Sequence, residues 1–281
     1  MPTLSLSTWS LHRILGPLRW TGWNPATLSH ETQIEDQPEL LKLLDLPAEA
    51  AKRGYQAVEI CHFHFPSTDE AYLERLNLAF REAGVSFDTL LLDYGDLTAE
   101  NRDRAEADRS FMARWIGIAS RCGAKRIRLV AGEAPPSDNE AIDRSAHALA
   151  ALSEYAEGLG VRVVTENFKP LTSTGASSLK LLDRTGGKVG FITDFGNFSG
   201  SAKYEEISRT VPFSSSVHVK PQYDANGIPD ERELKRCLDA VQAEGYDGSF
   251  VLIYDGPGDM WEGLERVKRL VHPYINHCTS H

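Results

Sequence analysis

The chain has 281 residues, of which 41% are hydrophobic and 25% are charged, as expected for a globular protein with a sizeable core. Its formal net charge of −10 at pH 7 opposes binding to nucleic acid or to an anionic membrane, because an acidic field repels phosphate groups. The widely spaced cysteines form no CxxC pair, and no signal-peptide or membrane-spanning pattern is present, so we expect a cytoplasmic protein in a reducing compartment.

Segments with strand and helix patterns alternate along the whole chain. The predicted strands are 3–8, 56–61, 86–92, 126–131, 161–166, 190–194, 214–218 and 249–254. The predicted helices are 39–53, 68–83, 103–121, 138–157, 177–184, 204–209, 230–244 and 258–271. Eight such units predict a single (β/α)8 TIM barrel that spans residues 1–281 as one domain. The first unit has no GxGxxG motif, which disfavours an open dinucleotide-binding sheet.

Three of the predicted strands end in side chains that can bind metal. The strand that begins at Val161 runs into Glu166, and the next two run into Asp194 and His218. The spacings of 28 and 24 residues each suit one right-handed βαβ crossover, so these side chains are expected at the same end of parallel strands. In such barrels the active site lies at the C-terminal ends of the strands.

These strand ends resemble the xylose isomerase-like TIM barrel superfamily, of the sugar phosphate isomerase and epimerase type. The resemblance is carried by Thr165-Glu166-Asn167, Thr193-Asp194-Phe195-Gly196-Asn197, His218-Val219-Lys220 and the glycine-rich end of strand eight. It implies that one divalent metal ion (Mn²⁺, Mg²⁺ or Zn²⁺) is held by Glu166, Asp194 and His218. The family uses a second Glu, from strand eight, as a fourth ligand.

The fourth ligand position departs from the family pattern. Strand eight of the family ends in a Glu-aromatic-acidic-Gly run, whereas this chain has Ile253-Tyr254-Asp255-Gly256. Asp255 lies on the same face of a strand as Ile253 but about 7 Å further along, so a water molecule could fill the open coordination position instead. The family's Glu-Asn-His is here Glu166-Asn167-Phe168. In the epimerases both glutamates also transfer protons, so Ile253 would remove half of a two-base mechanism.

The resemblance implies a metal-dependent isomerase or epimerase that acts on a sugar, sugar phosphate or related polyol through an enediolate. Glu166 is the expected base and Lys220 a second candidate catalytic residue. An inosose-type dehydratase and a non-catalytic barrel that binds a small molecule remain alternatives. A nuclease of the endonuclease IV type is disfavoured, because such enzymes need several more His and acidic ligands. The expected partner is a carbohydrate substrate, and a homo-oligomer is left open.

Further side chains are candidates for binding the substrate. They are Trp9, His62, His64, Arg128, Asn167, Asn197, Tyr254 and Asp255. His62 and His64 alternate after strand two and are therefore expected to face the same side. For Arg128, an ion pair with Glu59 inside the barrel has equal weight with substrate contact. The segment at about 14–37 is long for a βα loop, and its length is typical of a lid or a binding loop.

Overall fold

Eight parallel strands close into a barrel in the computed structural model, which describes residues 2–276 of the chain. The strands in chain order are β1 Thr3–Ser7, β2 Leu18–Asn24, β3 Ser29–Glu35, β4 Ala57–Cys61, β5 Ser86–Leu91, β6 Arg126–Arg128, β7 Arg162–Glu166, β8 Gly190–Asp194, β9 Ser214–Val219 and β10 Ser249–Leu252. All except β2 and β3 belong to the barrel, whose closed order is β1-β10-β9-β8-β7-β6-β5-β4. The predicted (β/α)8 barrel is confirmed.

Helices follow the barrel strands and pack around them. In the described residues they are α1 Leu46–Lys52, α2 Glu70–Ala83, α3 Arg102–Arg121, α4 Asn139–Glu157, α5 Gly175–Arg184, α6 Lys203–Thr210, α7 Glu231–Ala243 and α8 Met260–Asn276. None of them is both long and apolar enough to cross a membrane. Their inward faces are apolar and pack against the outer surface of the barrel. The helices and the strands together form one large hydrophobic core between them.

The first two helices show how far local sequence determines helix ends. α2 is capped by Asp69, whose carboxylate accepts the N–H of Tyr72, and it ends at Gly84 in a left-handed conformation, as the sequence predicted. α1 is shorter than the predicted helix 39–53. Pro47 lies in its first turn, where a missing N–H is tolerated, and the proline ring would clash with the carbonyl four residues earlier if the helix extended back towards residue 39.

The segment at 14–37, expected as a long loop, contains an antiparallel hairpin. β2 and β3 pair along their full length, from Leu18 with Glu35 to Asn24 with Ser29. The hairpin is attached to α3 by His30, whose Nε2 lies 2.8 Å from the Oδ1 of the buried residue Asp108. His30 also packs edge-on against Tyr94 and Phe111. A folded hairpin therefore extends from the loop after β1 and docks on α3.

A second, smaller apolar cluster lies apart from the main core. It contains Leu18, Cys61, Phe63, Leu91, Val164 and Ile192, with Trp9 and Trp20 packed against it. Its members come from the hairpin and from the C-terminal halves of several barrel strands. The cluster therefore joins the hairpin to the end of the barrel at which the strands terminate.

Candidate active site

Glu166, Asp194 and His218 lie side by side where β7, β8 and β9 end. These strands are neighbours in the barrel, and the register pairs Asp194 with His218. His218 Nδ1 lies 3.6 Å from Glu166 Oε1 and 3.4 Å from Asp194 Oδ2. One ligand atom from each residue lies within 4.8 Å of the other two, and all three side chains are buried. The convergence expected from the strand ends is therefore present.

The second ring nitrogen of His218 is held by a carboxylate from β4. His218 Nε2 lies 2.7 Å from Glu59 Oε2, and Glu59 is fully buried and also accepts a hydrogen bond from Ser216. Burial lowers the pKa of His218, but Glu59 and Glu166 outweigh it and raise that pKa well above its usual range. Because Glu59 occupies Nε2, Nδ1 is the nitrogen left to face the two carboxylates, as in carboxylate–histidine–metal arrangements.

Two asparagines hold the carboxylates in place. The Asn167 amide donates to the backbone carbonyl of Asp194, and its oxygen accepts the Asp194 N–H. The side chain of Asn197 donates to Glu166 Oε1 at 3.0 Å. Asp194 Oδ1 accepts the backbone N–H groups of Gly196 and Asn197. The orientation of the triad is therefore set by hydrogen bonds from the residues that follow β7 and β8.

A cavity of about 510 Å³ opens above these residues. One wall is apolar and is built by Trp9, Trp20 and Phe63, with the ring centroids of Trp20 and Phe63 4.3 Å apart. The lining also includes the triad, Ile253 and Lys220. Such a mixture of aromatic surface and a few convergent polar groups is typical of small-molecule sites.

Arg128 links two carboxylates in the wall of this cavity. Its Nη2 lies 2.6 Å from Asp93 Oδ1, and its Nε lies 3.3 Å from Glu166 Oε2. The guanidinium also lies over the ring of Phe168 at 4.7 Å. Burial by itself raises the pKa of Asp93, but Arg128 and His62 outweigh it and lower that pKa to about 2. The suggested pair of Arg128 with Glu59 is wrong, because Glu59 points to His218 instead.

The triad suits a divalent cation. Two carboxylates and one imidazole are ligands that Mn²⁺ and Zn²⁺ accept, and their ligand atoms already converge. Glu166 Oε2 accepts no hydrogen bond from the described residues, and its ion-pair contact with Arg128 Nε at 3.3 Å leaves it open to an incoming ligand. Ile253 lines the cavity at 4% exposure and contributes no ligand atom. Three protein ligands leave coordination positions for water or substrate.

A family model described as xylose isomerase-like TIM barrel matches residues 47–270, most of the chain. The chain belongs to this family. No curated protein sequence matches it. Residues 47–270 include every strand that supplies the triad.

Solved structures of the same fold resemble the chain over nearly its whole length. An L-ribulose 3-epimerase has a TM-score of 0.71 and 14% identity, over 99% of this chain and 95% of that one. The IOLI protein, solved with a zinc atom, has a TM-score of 0.70 and 16% identity, over 99% of this chain and 100% of its own. The probable 3-DHS dehydratase AsbF of Bacillus anthracis has a TM-score of 0.67 and 16% identity, over 96% of this chain and 99% of that one.

The structure places three of the substrate-binding candidates on the cavity. Trp9, Arg128 and Asn197 line it. Asn167 does not; it is 1% exposed and occupied by the backbone of Asp194. Tyr254 does not line it either. Alternation along the end of β10 turns Tyr254 away from Ile253 and into the core beside α8, where its hydroxyl donates to the carbonyl of Pro257.

His62 and His64 also lie behind the cavity wall. Residues 62–64 form a 3-10 turn rather than a strand, so the expected alternation fails and Phe63 faces the cavity instead. His62 contacts the rings of Phe111 and Trp115. His64 is buried, with Nδ1 2.9 Å from Thr8 Oγ1. The cluster of three metal-competent side chains in the described chain, Glu166, Asp194 and His218, includes neither of them.

Lys220 lines the cavity two residues after His218. Its Nζ lies 3.3 Å from Asp255 Oδ2, and its stem passes so close to Gly196 that a Cβ there would lie 2.9 Å from Lys220 Cδ. Burial by itself lowers the pKa of Lys220, but the carboxylates of Asp194 and Asp255 outweigh it. The pKa is raised above its usual value, so the side chain keeps its positive charge. Asp255 does not line the cavity; its carboxylate pairs with Lys220, and it does not replace the missing fourth ligand.

The cavity lining also includes residues that were not among the sequence candidates, and Asp93, Phe63 and Lys169 are three of these. Asp93 follows the buried strand β5 as an acidic residue, the same signal that identified Glu166. Lys169 has φ +70° and ψ 165°, a conformation that is costly for any residue except glycine and that is found preferentially at functional sites. The sequence around Lys169 contains no pattern that predicts this strained backbone conformation.

Proposed function

We propose that the protein is a metal-dependent enzyme that moves a proton on the carbon next to the carbonyl of a sugar or related polyol. The observation that carries this proposal is the buried cluster of Glu166, Asp194 and His218 on a cavity of about 510 Å³. Glu166 combines the two properties required: one oxygen near His218 and a second oxygen without a hydrogen-bond partner. The L-ribulose 3-epimerase and the probable 3-DHS dehydratase of the same fold support this class of chemistry, and the zinc atom bound to the IOLI protein supports a metal ion.

Each side chain of the site has a role in this chemistry. A divalent cation bound by Glu166, Asp194 and His218 would polarise the substrate carbonyl and so acidify the neighbouring C–H. Glu166 Oε2 accepts the proton from that carbon, and an enediolate forms on the substrate. Arg128 and Lys220 place positive charge beside the developing negative charge. The wall of Trp9, Trp20 and Phe63 excludes water from the substrate's other face.

Ile253 favours reactions that need one carboxylate base. Inverting a carbon requires a proton donor on the face opposite the base, and an isoleucine cannot supply one. Isomerisation returns the proton from the same face. Dehydration loses a hydroxyl instead, and the Lys220 ammonium is a candidate donor to it. Within the isomerase or epimerase class we therefore favour isomerisation, with dehydration as the second candidate.

Hydrogen exchange at carbon tests the proposal. The protein is incubated with Mn²⁺ in D₂O with D-fructose, L-ribulose, dihydroxyacetone and 2-inosose, and deuterium incorporation is followed by proton NMR. We expect metal-dependent exchange at the carbon next to the carbonyl, because the proton held by Glu166 equilibrates with solvent. Glu166→Gln keeps the shape and removes the base, so exchange should fall by at least about 100-fold.

Glu154→Gln is the matched control, since Glu154 is an exposed residue of α4 that pairs with Lys188 far from the cavity. It should exchange like the parent protein. Absence of exchange in every compound, with Mn²⁺ bound, would overturn the enzyme proposal in favour of a barrel that only binds its ligand. The NMR products also distinguish isomerisation from dehydration, which yields an unsaturated ketone.

A further inference from the structure

Buried polar atoms without partners gather in the wall of the cavity. Trp9 Nε1, Asp93 Oδ2, Arg128 Nη1 and Glu166 Oε2 are buried, and none has a hydrogen-bond partner among residues 2–276. All four residues line the cavity. Folded proteins satisfy nearly all buried polar groups, so such a concentration indicates that a polar ligand completes the site. Glu166 Oε2 is the proposed base, whereas the proposed chemistry supplies no hydrogen-bond partner to the other three atoms.

Asp93 and Arg128 present an acceptor beside a donor. Arg128 Nη2 donates to Asp93 Oδ1 at 2.6 Å. Asp93 Oδ2 is left as an acceptor without a partner, and Arg128 Nη1 is left as a donor without one. Arg128 is held in place by Glu166 on its Nε side and by the ring of Phe168. His62 does not satisfy Oδ2, because its Nδ1 is 3.9 Å away and accepts the backbone N–H of Asp93.

The chemistry of this pair selects the group that it can bind. A hydroxyl, or two hydroxyls on adjacent carbons, donates to the carboxylate and accepts from the guanidinium at once. A phosphate or carboxylate brings only acceptors against the negative charge of Asp93, and the positive charge of Arg128 is already offset by Asp93 and Glu166. An apolar group would leave both buried atoms unpaired.

We propose that Asp93 and Arg128 bind a neutral hydroxyl, or two vicinal hydroxyls, of the substrate beyond the carbon that Glu166 deprotonates. This rests on the proposed function and narrows its substrate to a polyol that is not phosphorylated or carboxylated at that position. Asp93 is then a specificity-determining residue, and Trp9 and Trp20 cover the apolar C–H face of the same polyol.

Asp93→Asn tests this assignment. The amide oxygen can still accept from Arg128 Nη2, but the amide nitrogen replaces Oδ2 with a donor. For the Mn²⁺-loaded protein we expect kcat/KM for C–H exchange of D-fructose, L-ribulose and 2-inosose to fall roughly 30-fold, mainly through KM. Dihydroxyacetone, in which the deprotonated carbon is the end of the chain, should exchange at the parent rate. Binding of xylitol, followed by tryptophan fluorescence, should weaken by a similar factor.

Asp88→Asn is a matched control. Asp88 of β5 pairs with Arg126 of β6, whose Nη1 lies 2.6 and 2.7 Å from the two carboxylate oxygens, but neither residue lines the cavity. This variant should lower the thermal midpoint without changing the ratio of the rates for D-fructose and dihydroxyacetone.

Asp93→Asn should also bind xylose 5-phosphate and gluconate better, relative to xylitol, than the parent protein does.

Equal losses for dihydroxyacetone and the longer polyols in Asp93→Asn would overturn the assignment, because Asp93 would then only hold Arg128 for catalysis. Tighter binding of the phosphate or carboxylate compounds than of xylitol by the parent protein would also overturn it. Both results leave the proposed function intact. Absence of exchange in every compound refutes the proposed function instead, and the xylitol titration then still decides whether Asp93 binds hydroxyls.

Discussion

Ile253 is the residue that most distinguishes this site from the metal centre that its family implies. It follows β10, and its N–H donates to the carbonyl of Val219, so it lies at the end of the barrel beside the strand that carries His218. Its side chain is buried on the cavity. A carboxylate here would add both a metal ligand and a second base, whereas isoleucine adds only apolar surface.

Ile253→Glu should therefore tighten the binding of Mn²⁺ by roughly tenfold or more, because a fourth ligand with a negative charge joins the existing set. Isothermal titration calorimetry of the two proteins measures this change. When a chelator removes the metal, the buried and unpaired carboxylate should lower the thermal midpoint of Ile253→Glu below that of the parent protein. Adding Mn²⁺ should restore it.

Ile253→Gln has the same length without the charge, and we expect it to leave the affinity for Mn²⁺ close to that of the parent. If Ile253→Glu binds Mn²⁺ no better than the glutamine variant, position 253 does not face the bound ion. The open coordination position would then lie elsewhere around the triad.

Among the elements, the hairpin of β2 and β3 is the addition that shapes the cavity. It supplies Trp20 and Thr21 to the cavity wall, while most of β3 is exposed. Outside the hairpin itself its strands contact mainly residues 62–64 and α3, and the pairing of His30 with the buried Asp108 is a polar contact with α3. Elements with few buried contacts open at a lower free energy than the core does.

His30→Ala should raise the amide hydrogen-exchange rates of residues 18–35 about tenfold, because a hydrogen bond to a buried carboxylate and the ring contacts with Tyr94 and Phe111 are lost. Mass spectrometry of peptic fragments measures the exchange. Gln33→Ala, on the exposed part of β3, is the control and should change little. Equal acceleration in β8 and β9 would show that His30 supports the whole fold instead of the hairpin.

At the scale of the whole molecule, buried ionisable groups make stability depend on pH. Burial lowers the pKa of His64 to about 3, from its usual 6.5, and the nearby charge of Asp93 only partly opposes this. The unfolded chain therefore binds a proton at His64 below about pH 6.5, whereas the folded chain does not until about pH 3. The contribution of neutral His64 to stability is full above pH 6.5 and is lost as the pH falls through this window.

His64→Gln removes this titration, so the free energy of unfolding of the parent should fall faster between pH 6.5 and 4, by up to about 1.4 kcal/mol per pH unit relative to the variant. Urea unfolding at a series of pH values gives both curves. Parallel curves would mean that folding does not lower the pKa of His64.

The barrel and the triad could be predicted because both depend on local pattern. Apolar strands at regular spacing close into a parallel barrel, and parallel strands bring their carboxyl ends to one edge, so Glu166, Asp194 and His218 had to meet. Only the tertiary structure decided which charges pair. Arg128 contacts Asp93 and Glu166 rather than Glu59, since rotamers and neighbours distant in sequence select the partner. Likewise, residues 62–64 form a 3-10 turn instead of continuing the strand, and this turn directs Phe63 towards the cavity in place of its flanking histidines.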